Sequence, residues 1–429
     1  MPVDFAFGKQ GLSLAIPEGG PRYRTLEARW AKPVGDPLAA IEDGLDRPYG
    51  DATIPNLVAE LGAKTAAISV CDITRPAPNR LTLPPLLRRL AAAGIPNENV
   101  TIVIATGLHR PATEAEIHEI VGEETARTCR IVNHHARVKG EQRYLGQTKS
   151  GTPVYVDERF VGADLHITLG FIEPHLMAGF SGGRKLIAPG VAGEDTIKRL
   201  HSPHFMRDPR AVEGSIEDNP LHAELLEIAA IAGHHFALDV VLAKGKKIAA
   251  VFAGDPRVSH PAGIQFVRES MIEWLPQPAG AVITTSAGYP LDLTFYQAVK
   301  GITAASHIVK PGGTILLMAE CSEGPGAAEF SQMLRESPDP GQFLEKLNGA
   351  PVTVDQWQME KFALAVQRNQ IWFYTPGLPQ EYHKNLWGKS FSNPQEAVDQ
   401  LMASVPKQEE VAVIPEGPYV LARVQPNLG

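Results

Sequence analysis

Two histidines stand at matching places in the chain, each a few residues beyond a short apolar run. His109 follows VTIVIATGL and His175 follows ADLHITLGFIEP. An imidazole ionises near neutral pH, so it can take a proton from a substrate and return it. Two imidazoles facing one substrate from opposite sides suit inversion of a stereocentre. They would equally serve dehydration or metal binding. A single loop histidine is more often satisfied by a nearby carboxylate, but two at matching positions weigh against that.

Other polar groups gather at similar places. CDITRP puts Asp72, Thr74 and Arg75 in a compact corner, and an arginine can grip a carboxylate or phosphate through two parallel hydrogen bonds. Arg110 is a second cation nearby, or a helix cap. In HLMAGFSGGRKLIAPG, Lys185 follows Gly179, Gly182 and Gly183. This is not a phosphate loop, because Leu186 stands where Ser or Thr is needed. The glycines allow a planar group to approach the backbone, and the lysine can pair with a phosphate or bond covalently through its amine. Arg184 either meets a cofactor phosphate or an acidic substrate, or faces solvent. His201 lies sixteen residues after Lys185, beyond a helix start at EDTIKRL. His134, His135 and His204 add scattered nitrogen donors in no zinc spacing. Farther on, Tyr296, Gln297 and Lys300 stand at a helix start, the last two on one face and able to meet a carboxylate.

These residues need a scaffold, and the apolar pattern predicts one. TAAISV (65–70), VTIVIA (100–105) and ADLHITL (163–169) read as buried parallel strands, with LPPLLRRLAAAG and TEAEIHEIVG as crossover helices. Thr113 is a candidate N-cap for the second helix. FAFGKQGLSLAIPEG reads as two short strands around a turn. A helix at 221–233 and strands within 236–253 follow. After prolines 276 and 278 a second unit begins, with strands near 281–285, 314–318 and 370–374. Its helices fall near 294–305, 327–335, 355–367 and 394–404, and EEVAVIPEG supplies a last strand. The expected fold is α/β: two domains with mainly parallel sheets, 1–275 and 276–429, and the active site in the cleft between them. Loops after parallel strands line such a site.

Composition agrees with a soluble globular chain: of 429 residues, 44% are hydrophobic and 21% charged. A net charge of -8 gives no reason to expect nucleic acid or an anionic membrane. No apolar stretch reaches the length of a membrane span, and the start carries no signal pattern. Three scattered cysteines make neither a disulfide framework nor a cysteine metal site, and a reducing cytoplasm is the expected home.

The chain resembles the lactate racemase family, with its 2-hydroxyacid racemase and epimerase relatives, which uses a nickel pincer nucleotide. The resemblance rests on DITRP (72–76), GLHRP (107–111), EPHLMAGFSGGRKLIAPG (173–190), EDTIKRLHSP (194–203), YQAVKG (296–301) and DQWQ (355–358). It implies a cofactor, pyridinium-3,5-bisthiocarboxylic acid mononucleotide, joined to Lys185 through a thioamide and holding nickel through carbon and two sulfurs. His201 matches the histidine that completes the nickel site, and Asp72, Thr74, Arg75, Gly182 and Gly183 match its surroundings. His109 and His175 match the acid/base pair. One would take the hydroxyl proton of a lactate-like acid as the C2 hydride leaves, a 2-oxoacid would form, and the hydride would return to give the other configuration. Arg75, Tyr296, Gln297, Lys300 and Trp357 match residues around the substrate.

The resemblance also implies partner proteins that build the cofactor. Two competing readings stay open at this point. One is a related redox or dehydration enzyme acting on another hydroxyacid or a sugar acid. The other is a non-catalytic carrier of cofactor or nickel.

Overall fold

The computed structural model describes residues 2–425. The chain forms two compact units: Trp30–His201 with Asp208–Ser270, and Met1–Arg29 with Ser202–Arg207 and Met271–Gly429. Both are mixed α/β structures built on six-stranded, mainly parallel sheets.

In the first unit the strands are β1 (Ala66–Cys71), β2 (Val100–Ala105), β3 (Arg130–Asn133), β4 (Leu165–Phe171), β5 (Phe236–Leu242) and β6 (Ile248–Gly254). Their order across the sheet is β6-β5-β4-β1-β2-β3, parallel except for the edge pair β5 and β6. Every residue of β1 and of β4 is buried, which explains why both read as mainly apolar runs. Helix α1 (Asn79–Ala92) connects β1 to β2 and starts four residues before LPPLL. The helix Glu114–Val121 is capped by Thr113, with Glu116 returning the bond to the cap backbone.

The topology brings three chemical loops to one edge. β1 is flanked by β2 and β4, with Cys71 opposite Ala105 and Val70 opposite Leu169. Because the three strands run parallel, Asp72–Arg75, Thr106–His109 and Ile172–His175 all leave from the same end of the sheet.

The second unit holds β7 (Ala279–Thr285), β8 (Val309–Met318), β9 (Gln370–Tyr374), β10 (Lys389–Ser390) and β11 (Glu410–Ile414). All pairs are parallel, in the order β10-β9-β8-β7-β11, and the edge beyond β11 is the strand Arg22–Thr25. A division at 275/276 therefore differs from the observed units. Arg22 pairs with Glu410 and Thr25 with Val413, and Phe5, Leu14 and Ile16 pack with Leu316, Val411 and Val413. Residues 202–207 join the same unit through Arg207, which reaches Glu360 Oε1 at 2.6 Å and the Leu344 carbonyl at 2.6 Å. β11 is also not the last strand. Leu421–Val424 follows and pairs with Ile272–Leu275, so IEWL, just before prolines 276 and 278, is a strand.

Candidate active site

Asp72, the first residue after β1, is buried, with 6% of its side chain exposed. His109 Nδ1 lies 2.7 Å from Asp72 Oδ2, and Thr74 donates its hydroxyl to Oδ1 at 2.7 Å. Burial alone would raise this carboxyl, but the hydrogen bonds from His109 and Thr74 and the charge of Arg75 outweigh it and hold the pKa below its usual value. A carboxylate can only accept, so His109 donates Nδ1–H and keeps its lone pair on Nε2. The imidazole is half exposed, its Nδ1 edge on the buried carboxylate. A base backed by a carboxylate is oriented for proton transfer, and its charged form is stabilised. Asp72 thus supports His109, a role that the spacing of DITRP does not reveal.

His175 closes a tight hairpin in which Pro174–His175 pairs with Gly179–Phe180. Its Nδ1 accepts the backbone N–H groups of Met177 and Ala178 at 3.3 and 3.2 Å. Gly179 has φ +75°, and a Cβ there would come within 2.1 Å of the Ser215 carbonyl. The hairpin cannot close with any other residue at that position.

Lys185 lies in a short helical turn, Gly183–Leu186. Burial of its amine, then the positive charges of Arg75 and Arg184, pull its pKa down to about 7. A lysine in that state holds a substantial neutral fraction, which is the nucleophilic form. His201 caps the helix α2 (Glu194–Leu200). It donates Nδ1–H to the Ile197 carbonyl at 2.8 Å, which leaves the lone pair on Nε2. Burial, with the charge of Lys185 adding, lowers its pKa to about 4, so the imidazole is neutral and able to act as a ligand.

Several residues take other roles than their sequence context suggests. Gly182 and Gly183 have φ of +80° and +44°, and a Cβ on either would meet protein: Ile172 at 2.9 Å from Gly182, His260 at 3.3 Å from Gly183. Both glycines also let the loop pack closely against the sheet. Arg184 does not face solvent. It is 2% exposed and donates to Ala178 O at 2.9 Å and His222 Nδ1 at 2.8 Å, with His260 Nε2 2.9 Å from Nη1. Arg110 is paired through two nitrogens with Glu116 at 2.6 and 2.7 Å, as part of the helix cap. His134 is sandwiched between Asp157 and the Ala192 carbonyl, and His135 pairs with Glu141. Among the described residues no three His, Cys, Asp or Glu side chains converge as a metal cage.

One residue escapes sequence reading altogether. Asp239 lies fully buried in β5, inside the run FALDVVL, and both its oxygens accept the Gly183 N–H, at 3.2 and 3.0 Å. Burial pushes its pKa up to about 7 against the opposing pull of that bond and of Arg184. A polar residue in an apolar strand is the only signal available to sequence.

In the second unit Thr294 caps helix α3 (Phe295–Ser306) by accepting Gln297 N–H. Tyr296 and Gln297 line a cavity of ≈ 370 Å³ with Thr294, Glu323 and Asp355. The Gln297 Oε1 is buried without a hydrogen-bond partner, and Asp355 holds φ +66°, an unusual conformation for a residue with a side chain. Trp357 is half-buried at the start of helix α4 (Gln356–Arg368). Neither it nor Lys300 lines this cavity.

The lactate racemase N-terminal domain family matches residues 7–214 and the lactate racemase C-terminal domain family matches 275–422. The lactate racemase of Thermoanaerobacterium thermosaccharolyticum is 35% identical over 386 residues, covering 89% of this chain and 90% of that protein. The lactate racemase of Lactiplantibacillus plantarum is 35% identical over 387 residues, with the same coverage. The solved apoprotein from T. thermosaccharolyticum superposes with a TM-score of 0.89 at 32% identity, covering 99% of this chain and all of that one. A Thermotoga maritima protein shares the fold alone, with a TM-score of 0.64 at 16% identity over 91% of this chain and 99% of that one. With both halves matched and relatives this similar over most of its length, the chain belongs to the nickel-pincer-nucleotide-dependent lactate racemase family.

Proposed function

We propose that this protein is an isomerase that interconverts the two C2 configurations of a lactate-like 2-hydroxyacid through a planar 2-oxoacid. The observation that carries the reading is the His109–Asp72 pair: a half-exposed imidazole whose inner nitrogen is fixed on a buried carboxylate. A carrier of cofactor or nickel needs no such base. Membership of the family and two histidine-bearing loops at one sheet edge support the same reading.

The residues present fit a nickel pincer nucleotide. Lys185 offers an amine with a large neutral fraction, and His201 offers a neutral Nε2 lone pair whose other ring nitrogen is already occupied. Lys185 would hold the group covalently and His201 would complete the nickel site, with Asp72, Thr74, Arg75 and the Gly182–Gly183 turn around them. When bound, the group supplies the acceptor and then the donor for the C2 hydride. The chain handles the protons and the substrate. His109 takes the hydroxyl proton at Nε2, and Asp72 stabilises the resulting imidazolium. Arg75 and Lys300 would hold the carboxylate, with Gln297, Tyr296 and Trp357 around the remainder of the acid. His175 contacts the C2 oxygen from the other side. Proteins that build and deliver the nucleotide are the expected partners, and a reducing cytoplasm suits three free cysteines.

The test is intact mass of the full chain, produced alongside a cofactor-building pathway, with peptide mapping around Lys185. A nucleotide-sized increment on Lys185 together with nickel, and racemisation of a single-enantiomer 2-hydroxyacid, is the expected result. An unmodified lysine despite a working pathway refutes the covalent assignment.

A further inference from the structure

We infer that His109 and His175 are held as opposite tautomers, His109 presenting a lone pair at Nε2 and His175 presenting an N–H there. The site thus holds one ready proton acceptor and one ready hydrogen-bond donor. Their roles towards substrate rest on the racemase reading, but the tautomers themselves follow from hydrogen bonding alone.

The reasoning begins with what each inner nitrogen touches. Asp72 can only accept, so His109 Nδ1 carries a proton. Backbone N–H groups can only donate, so His175 Nδ1, which receives those of Met177 and Ala178, carries none. A neutral imidazole has one proton. On His109 it lies inside, and on His175 it lies on Nε2.

The hairpin is built to keep this arrangement. The Met177 carbonyl and the Ala178 N–H belong to one peptide plane, and Asn219 Nδ2 donates to that carbonyl at 3.0 Å. Arg184 holds the next carbonyl, that of Ala178, at 2.9 Å. Asn219 and Arg184 are both buried. They act as positioning residues that keep these peptides oriented, with the Ala178 N–H turned towards the imidazole. Gly179 permits the turn that brings the chain back.

The consequence is a division of roles. His109 can accept the hydroxyl proton: the O–H bond breaks as the new N–H bond forms at Nε2, and Asp72 meets the positive charge. His175 as held donates a hydrogen bond from its Nε2–H to the C2 oxygen. To act as a base it must first move its own proton to Nδ1, which breaks both backbone hydrogen bonds.

Long-range nitrogen–proton spectra of the full chain, labelled with ¹⁵N-histidine and assigned with His109→Gln and His175→Gln, decide this without cofactor or activity. The expected result is a protonated Nδ1 on His109 and a protonated Nε2 on His175; the same tautomer on both overturns the proposal. A loaded enzyme that interconverts no 2-hydroxyacid overturns the racemase reading, while the spectra still decide the tautomers.

Discussion

Gly183 shares its backbone N–H between the two carboxyl oxygens of Asp239, at 3.2 and 3.0 Å, and so ties the loop of Lys185 to the strand β5. The carboxyl is fully buried and its pKa is raised to about 7. The folded state therefore keeps a proton that the unfolded state releases near pH 4. Stability from this group is present below that pH and is lost as pH rises towards 7. Asp239→Asn removes the titration while keeping an acceptor for Gly183. The expected outcome is a melting temperature that gains on the parent protein between pH 4 and pH 7, measured by calorimetry at several pH values.

The buried histidines act in the opposite sense. Burial lowers His222 and His234 to about 3 and His235 to about 4, with Arg184 adding at His222 and neighbouring histidines adding at the other two. A group whose folded pKa is depressed contributes stability above its unfolded pKa, about 6.5 for His, that is lost as pH falls towards the folded value. The paired acids Asp157 and Glu217, both lowered to about 2, matter only below their ordinary range near pH 4. Urea unfolding should therefore show stability already falling between pH 6.5 and 5, ahead of carboxylate protonation. The several imidazoles outweigh the opposing carboxyls, Asp239 and Glu360, which burial raises.

Asp72→Asn should damage catalysis through His109. An amide no longer compels the proton onto Nδ1 and cannot stabilise an imidazolium as a carboxylate does. A loss of roughly 10²- to 10⁴-fold in kcat is expected, the range of a disabled general base. The cofactor-loaded fraction, read by intact mass, should stay near that of the parent. A collapse in loading would instead mean that Asp72 acts chiefly on the cofactor and not through His109.

Lys185 should be the lysine most reactive towards an acylating reagent near neutral pH in protein made without cofactor. Its labelling should rise with a midpoint about 7, against about 10.4 for an ordinary lysine. Removing the Arg75 charge, as in Arg75→Gln, should move that midpoint upward, because Arg75 is a cation that disfavours the ammonium. Competitive labelling with mass readout over a pH series checks both statements.

Much of this was legible in sequence wherever a local pattern carries the information. The mainly apolar runs of β1, β2 and β4 announced buried parallel strands, and the residues following them fell at one sheet edge. Thr113 capped its helix as its spacing with Glu116 implied. Long-range pairing was not legible. Nothing near Arg22–Thr25 says that its partner lies at Glu410–Ile414, so the N-terminal segment was assigned to the wrong side of a boundary. The helices Pro37–Asp46, Ile54–Leu61 and Pro256–Met271 also escaped a reading focused on strands. Arg184 and Asp239 were hidden for a further reason. Charge normally argues for the surface, and only the folded chain reveals the carbonyls, imidazoles and N–H that allow these two inside.

The lowered basicity of Lys185 also bears on how the site tolerates being modified. Turning an ordinary lysine into a thioamide deletes a full positive charge, and every neighbouring group then titrates differently. Here much of that charge is already absent at neutral pH, because burial and the guanidinium groups of Arg75 and Arg184 displace it. The cationic field around the anchor is carried by arginines that do not acylate. On the proposed covalent reading, acylating this amine would itself remove little charge from its surroundings, and the arginine charges would persist once the nucleotide is attached.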